Sequence, residues 1–132
     1  MSNADTMKGL YEAFGKGDIA TFPGAMDSQI SWREPEGHPY KPDGKAWIGP
    51  DAIVGNLFMK LGTEWEGFTL SPATFTDAGD RVVVEGRVNG KYTANGNSMD
   101  SQFCHIWDFA GGKITAFQGY TDTAQFQKAV GV

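Results

Sequence analysis

Cysteine and histidine are the scarcest reactive side chains in this 132-residue chain, which has one Cys and two His. The single cysteine, Cys104, excludes an internal disulfide and fits a reducing compartment. Its simplest interpretation is a small buried side chain. The sequence contains neither a Cys–His metal spacing nor a phosphate-binding loop, so we expect no metal and no organic cofactor.

Long apolar runs and basic clusters are also missing. No run approaches the roughly 20 residues of a membrane span, and the N-terminus lacks the basic-then-apolar order of a signal peptide. Lys and Arg number 11 against 16 Asp and Glu, giving a net charge of −5, and the basic residues are scattered singly. These features predict a cytoplasmic protein that binds neither a membrane nor nucleic acid.

Aromatic residues and glycine are abundant instead. Aromatics make up 13% of the chain, and there are 18 glycines, about twice the usual share. Large rings combined with many glycines favour a curved sheet around an aromatic interior, with glycine at its bends. The length predicts one domain, residues 1–132.

Helical patterns occupy the first half of the chain. Met7, Leu10, Tyr11 and Phe14 follow helical spacing, and Ser2 followed by Asp5 predicts the N-terminal cap. A short second helix is expected from Asp18 to about Met26, although Pro23 weakens it. A third is expected from Pro50 to Gly62, with Phe58 on its broad apolar face.

Strand patterns occupy the second half. We expect strands over 66–76, 81–92, 97–109 and 113–121, joined by three hairpin turns, and a last helix over 123–130. The fold class is therefore α+β. A cone-shaped, strongly curved antiparallel sheet is expected to wrap around the N-terminal helices, and the open end of such a cone is a natural small-molecule pocket.

Glu34 follows a short strand and is the most unusual carboxylate in the sequence. Alternation places Ile30, Trp32 and Glu34 on one face, and Pro35 and Gly37 stop the strand directly afterwards. A carboxylate on the same inward face as a tryptophan is costly unless it has a partner or a function.

His105 lies on the apolar face of the predicted strand 97–109, between Phe103 and Trp107. It is either a hydrogen-bonded core histidine or a residue beside a cavity. Three other residues have two interpretations each. Tyr11 is either a core contact or a phenol that faces the cavity. Asp122 is either a helix cap or a carboxylate on the cavity rim. His38 is either a solvated loop residue or a catalytic one.

The loop over 35–49 is rich in proline and glycine, and loops of this length are often lids or rims.

On the outer face of strand 97–109 lie Gln102, Cys104 and Ile106. This mixed surface suits contact with another subunit better than open solvent.

The whole pattern resembles the nuclear transport factor 2-like superfamily, within it the ketosteroid isomerase and SnoaL-like polyketide cyclase branch. The resemblance spans nearly the whole chain. It rests on Y-E-A-F at 11–14, W-R-E-P-E-G at 32–37, G-P-D-A-I at 49–53, and the segment from Phe109 through G-K-I at 112–114 to Y-T-D at 120–122. It implies a cystatin-like α+β barrel and a homodimer formed through the outer sheet face.

The resemblance also implies roles for particular residues. Glu34 in E-P-E-G occupies the place of the isomerases' general base, and His105 falls on the position of their oxyanion donor. The isomerases' tyrosine donor aligns with Leu10, not Tyr11, which argues against a true steroid isomerase. Asp122 is a counterpart of the cyclases' aspartate through its Tyr-x-Asp context only.

Two functions follow from these observations. One is a cofactor-free acid–base enzyme (isomerase, cyclase, dehydratase or hydrolase) acting on a small hydrophobic molecule, with Glu34, His105 and Asp122 as catalytic candidates. The candidate substrate-binding side chains are Tyr11, Phe14, Trp32, Phe58, Phe103 and Trp107. The alternative is a non-catalytic ligand-binding or dimerisation module of the same fold, in which Glu34 and His105 belong to a structural polar network.

Overall fold

A computed structural model describes residues 2–132, so Met1 of the expected 1–132 domain lies outside the described residues. The elements, in chain order, are α1 Asn3–Gly15, α2 Thr21–Gly24, β1 Met26–Arg33, β2 Trp47–Ile48, α3 Pro50–Ile53, a π-helical turn Val54–Phe58, α4 Met59–Glu64, β3 Trp65–Asp77, β4 Arg81–Tyr92, β5 Ser98–Ala110, β6 Lys113–Thr121 and α5 Thr123–Val130. The predicted α+β class is confirmed.

One six-stranded sheet carries the fold, in the strand order β2-β1-β6-β5-β4-β3. Strands β3 to β6 form the predicted antiparallel meander, and the bounds predicted for β4, β6 and α5 agree with the structure. The sheet is curved but does not close into a barrel. Its inner face packs against the helices.

The position of β1 departs from a purely antiparallel sheet. This strand pairs in parallel with β6, with Trp32 beside Phe117 and Arg33 beside Gln118. A parallel neighbour requires a long crossover, and here the meander supplies it. The pairing brings the segment containing Glu34 next to a strand about 85 residues later in the chain.

In the helical half of the chain, α1 agrees with the helix predicted from the sequence, whereas α2 is shorter than predicted. Ser2 and Asp5 form the predicted capping box of α1. The second helix is only four residues long, and β1 begins at Met26. The carboxylate of Asp18 accepts hydrogen bonds from the backbone and hydroxyl of Thr21, which makes a turn where a longer helix was expected.

The third predicted helix is one continuous helical segment with a π-turn inside it and a C-terminal end at Glu64. The loop that precedes it contains the two-residue strand β2. Met7, Ile30, Ile53, Val82 and Ile114, all fully buried, belong to the core between helices and sheet. No helix within residues 2–132 is both long and apolar enough to cross a bilayer.

Candidate active site

Two rows of inward-facing side chains cross the three strands β1, β6 and β5. In the first row, Phe117 lies between Trp32 and Trp107, with ring centroids 3.9 Å and 4.5 Å away. The second row consists of Glu34, just beyond the end of β1, Gly119 and His105. Glu34 and Gly119 come two residues after Trp32 and Phe117, whereas His105 comes two residues before Trp107 because β5 runs antiparallel to β6. Strands are about 4.8 Å apart, so the backbones of Glu34 and His105 lie roughly 10 Å apart with a glycine between them.

Gly119 makes room for the carboxylate in this row. A Cβ atom at Gly119 would lie 2.8 Å from Oε1 of Glu34 and 2.9 Å from the ring of Phe117. These distances are shorter than van der Waals contact, so no side chain fits there without moving the carboxylate. The missing side chain lets the Glu34 carboxylate lie over Gly119 of the neighbouring strand β6.

The carboxyl group of Glu34 is held by its own strand. Oε2 accepts a hydrogen bond of 2.9 Å from the indole N–H of Trp32, two residues earlier. Only 8% of Glu34 is exposed, and this burial raises the pKa of Glu34 to about 7 against the weaker opposing effect of the Trp32 hydrogen bond. Its other oxygen has no hydrogen-bond partner among the described residues. Glu34 can therefore take up or release a proton near neutral pH.

A hydrogen-bonded chain on the other side of the row fixes the tautomer of His105. The indole N–H of Trp107 donates to the hydroxyl of Tyr11 over 3.1 Å, and the Tyr11 oxygen lies 2.5 Å from Nδ1 of His105. An indole N–H can only donate, so the Tyr11 hydroxyl accepts from Trp107, and we assign its own proton to the hydrogen bond with Nδ1. A neutral His105 then carries its proton on Nε2.

His105 is neutral at ordinary pH. Burial lowers the pKa of His105 to about 3, although the residue as a whole is half-buried and lines the cavity. Nε2 has no hydrogen-bond partner among residues 2–132. His105 is thus a neutral N–H donor available to a ligand. Burial likewise raises the pKa of Tyr11, which keeps this phenol protonated.

Both ends of the row border one apolar cavity of about 70 Å³, measured as the volume that the centre of a water-sized sphere can occupy. The six side chains expected to contact a substrate all line this cavity: Tyr11, Phe14, Trp32, Phe58, Phe103 and Trp107. Four further phenylalanines, which the sequence did not single out, complete its aromatic wall: Phe22, Phe68, Phe117 and Phe126.

His38 also lines the cavity and is only 3% exposed. The expectation of a solvated loop residue is therefore wrong. The ring packs 4.5 Å from that of Phe126, and its Nδ1 accepts the backbone N–H of Tyr40 over 3.1 Å. Burial lowers the pKa of His38 to about 4, so His38 is neutral and carries its proton on Nε2. The sequence feature that could have indicated this burial is the position of His38, four residues after Glu34 and just beyond the turn at Gly37.

Asp122 is not brought to this cavity. Its carboxylate caps α5, accepting hydrogen bonds from the backbone N–H and the side-chain amide of Gln125. Asp122 is exposed and borders a different hollow, on the outer sheet face. The N-cap interpretation from the sequence is confirmed.

The arrangement can perform proton transfer beside a carbonyl group. An ionised Glu34 could remove a proton from carbon, while the N–H of His105 stabilises the negative charge that develops on the neighbouring oxygen. Among the described residues, no group of three or more His, Cys, Asp or Glu side chains could hold a metal ion.

Comparison with known proteins gives a consistent result. The sequence profile of the SnoaL-like domain family matches residues 7–117. A comparison with curated proteins gives no match.

Three solved structures resemble the chain over nearly its whole length. An NTF2-like protein from Burkholderia thailandensis is 32% identical, with 98% of each chain covered and a TM-score of 0.91. An NTF2-like protein of unknown function from Burkholderia pseudomallei is 28% identical, with both chains fully covered and a TM-score of 0.87. TerC, co-crystallised with polyporic acid, is 28% identical over 92% of each chain, with a TM-score of 0.78.

Proposed function

Because the chain belongs to the SnoaL-like domain family, we propose that its cavity performs cofactor-free acid–base chemistry on a small apolar carbonyl compound. The observation that carries this proposal is the row formed by Glu34, Gly119 and His105. The proposal is supported by a carboxyl group with a pKa of about 7 and a neutral imidazole that border the same cavity.

Glu34 is the base in this proposal. Its free oxygen takes the proton from the carbon next to the carbonyl group, and the electrons of that C–H bond form a carbon–carbon double bond. The π electrons of the carbonyl move to its oxygen, which becomes an enolate. The Trp32 N–H keeps the carboxyl group in place while its charge changes.

His105 stabilises the enolate oxygen through Nε2–H. Because the pKa of His105 is about 3, it acts as a hydrogen-bond donor and does not provide a positive charge. A donor aimed at developing charge in an apolar site typically contributes about 10²- to 10³-fold in rate. Glu34 then returns the proton to the same carbon or to another, which completes an exchange or an isomerisation.

The surroundings support a small organic substrate. Aromatic side chains line the cavity on several sides, and such surfaces bind planar apolar molecules. TerC, a structural neighbour, was co-crystallised with an organic acid, polyporic acid.

Deuterium exchange of a simple ketone tests the proposal without knowledge of the natural substrate. In D₂O, the wild-type protein is expected to speed incorporation of deuterium next to the carbonyl of 1-indanone, as followed by proton NMR, and Glu34→Gln is expected to lose this effect. Exchange at the buffer rate in both proteins would leave a ligand-binding module as the better interpretation.

We further propose a cytoplasmic homodimer formed through the outer sheet face. This face carries Tyr120, which is 52% exposed, and a broad open hollow bordered by Arg87, Gln102 and Cys104. An exposed aromatic residue beside half-buried apolar side chains is typical of an interface. Light scattering during gel filtration is expected to show a dimer in the wild type and a monomer in Tyr120→Arg, whereas a wild-type monomer would contradict the dimer.

A further inference from the structure

His38 is a buried polar residue of the cavity that the proposed proton transfer does not use. Its side chain comes from the loop after β1, whereas His105 comes from the sheet. Both imidazoles border the same space, and both have Nδ1 occupied as an acceptor and Nε2 without a partner among the described residues. The cavity therefore contains two neutral N–H donors and one carboxyl group.

The loop around His38 is built to hold this ring. The backbone N–H of His38 donates to the carbonyl of Pro35, and its carbonyl accepts from Lys41. The carbonyl of the preceding residue, Gly37, accepts a 2.7 Å hydrogen bond from Gln127 on α5. With Phe126 packed against the ring, these contacts give His38 the fixed position that a binding residue requires.

We propose that His38 is a second oxygen-binding residue, so that the site selects planar compounds with two carbonyl or related oxygens, one for each imidazole N–H. This inference rests on the proposed function. One oxygen binds His105 and is activated by Glu34, and the second binds His38 and sets the orientation of the ring. A buried N–H donor left without an acceptor disfavours ligands that lack the second oxygen.

Two commercial ketones with the same two-ring skeleton test this selectivity. 1,3-Indandione has two carbonyl oxygens and 1-indanone has one. Binding is followed by quenching of the fluorescence of Trp32 and Trp107, which line the cavity, at a pH below the Glu34 pKa of about 7. Wild-type protein is expected to bind the dione about ten-fold or more tightly than the monoketone.

Two substitutions of His38 distinguish the effect of its Nε2–H donor from the effect of its packing in the loop. In His38→Asn, the side-chain oxygen can still accept the N–H of Tyr40 but the side chain is too short to reach the cavity, whereas His38→Gln restores an N–H near the position of Nε2. We expect His38→Asn to lose about ten-fold in affinity for 1,3-indandione and less than about two-fold for 1-indanone. We expect His38→Gln to recover most of the loss. Thermal melting confirms that each variant is folded.

Several outcomes would overturn the inference. Equal loss for both ketones in His38→Asn would mean that His38 only shapes the cavity, and unchanged affinity would mean that it does not contact the ligand. Equal binding of both ketones by the wild type, or binding of neither, would also contradict the two-oxygen substrate class. Glu34-dependent exchange of 1-indanone is measured separately, so the proposed function can hold while this inference fails.

Discussion

The carboxylate of Glu34 occupies the space that a side chain at position 119 would need. Gly119 lies beside His105 on the neighbouring strand, and a Cβ atom there would come within 2.8 Å of Glu34 Oε1. The missing side chain thus leaves room for the Glu34 carboxylate beside the residue that pairs with His105.

Gly119→Ala is expected to displace the Glu34 carboxylate and lower ketone exchange about ten-fold or more. Overpacking of this kind typically costs about 1–3 kcal/mol of unfolding free energy. Gly9→Ala is the control, because a Cβ at Gly9 meets nothing within 4 Å and a helical Gly→Ala change stabilises by roughly 0.5–1 kcal/mol. Full exchange activity in Gly119→Ala would show that the position of the carboxylate is not critical.

Glu34→Gln is expected to change how stability depends on pH. The pKa of Glu34 is raised from 4.5 to about 7 on folding, so the folded state binds more protons between these values. Glu34 therefore favours folding below pH 4.5, and this contribution is lost as pH rises through about 7, a loss of about 3 kcal/mol.

Denaturant unfolding at several pH values measures this effect. The unfolding free energy of Glu34→Gln minus that of the wild type is expected to increase by about 3 kcal/mol between acidic and alkaline pH. Both proteins contain His38 and His105, whose lowered pKa values act with the opposite sign and cancel in the difference. A difference that stays constant with pH would indicate an ordinary carboxylate.

Tyr11→Phe is expected to release the tautomer of His105. The substitution removes the acceptor of Trp107 and the donor to His105 Nδ1, so the ring should populate both tautomers, and stability should fall by about 1–3 kcal/mol. Nitrogen NMR of the His105 ring measures the tautomer. Tyr92→Phe is the control, because the Tyr92 hydroxyl has no hydrogen bond among the described residues. A single unchanged His105 tautomer in Tyr11→Phe would contradict the role of the Tyr11 hydroxyl in setting that tautomer.

Ser101→Ala is expected to leave stability unchanged or raise it by up to about 1 kcal/mol. Ser101 is 1% exposed, and its hydroxyl has no hydrogen-bond partner within residues 2–132. Removing an unpaired buried hydroxyl costs little. In Thr115→Val, by contrast, a hydroxyl that donates to the Asp108 carbonyl is removed, and a loss of about 1 kcal/mol is expected. A large loss in Ser101→Ala would reveal a partner for this hydroxyl.

The sequence predicted the meander well because its signals are local. Alternation along β5 placed Phe103, His105 and Trp107 on one face, and turn residues separated the four strands β3 to β6. The position of β1 was not predictable in this way. Its parallel pairing with β6 joins Trp32 to Phe117 across about 85 residues, and no local pattern specifies such a partner.

The candidate site was predictable in its residue types but not in its arrangement. Glu34 and His105 each stood out as polar groups on apolar faces. The role of Gly119 depends on that long-range strand pairing. The burial of His38 depends on contacts between the loop and α5, which the proline-rich sequence over 35–49 does not indicate.

Deuterium exchange of 1-indanone by wild type and Glu34→Gln is the most direct test of the acid–base function. We expect wild-type exchange to rise with pH to a plateau, with its midpoint near the Glu34 pKa of about 7. Glu34→Gln is expected to lose about 100-fold or more of the acceleration over buffer, as for removal of a general base. Wild-type exchange no faster than buffer, or equal rates in the two proteins, would contradict the account.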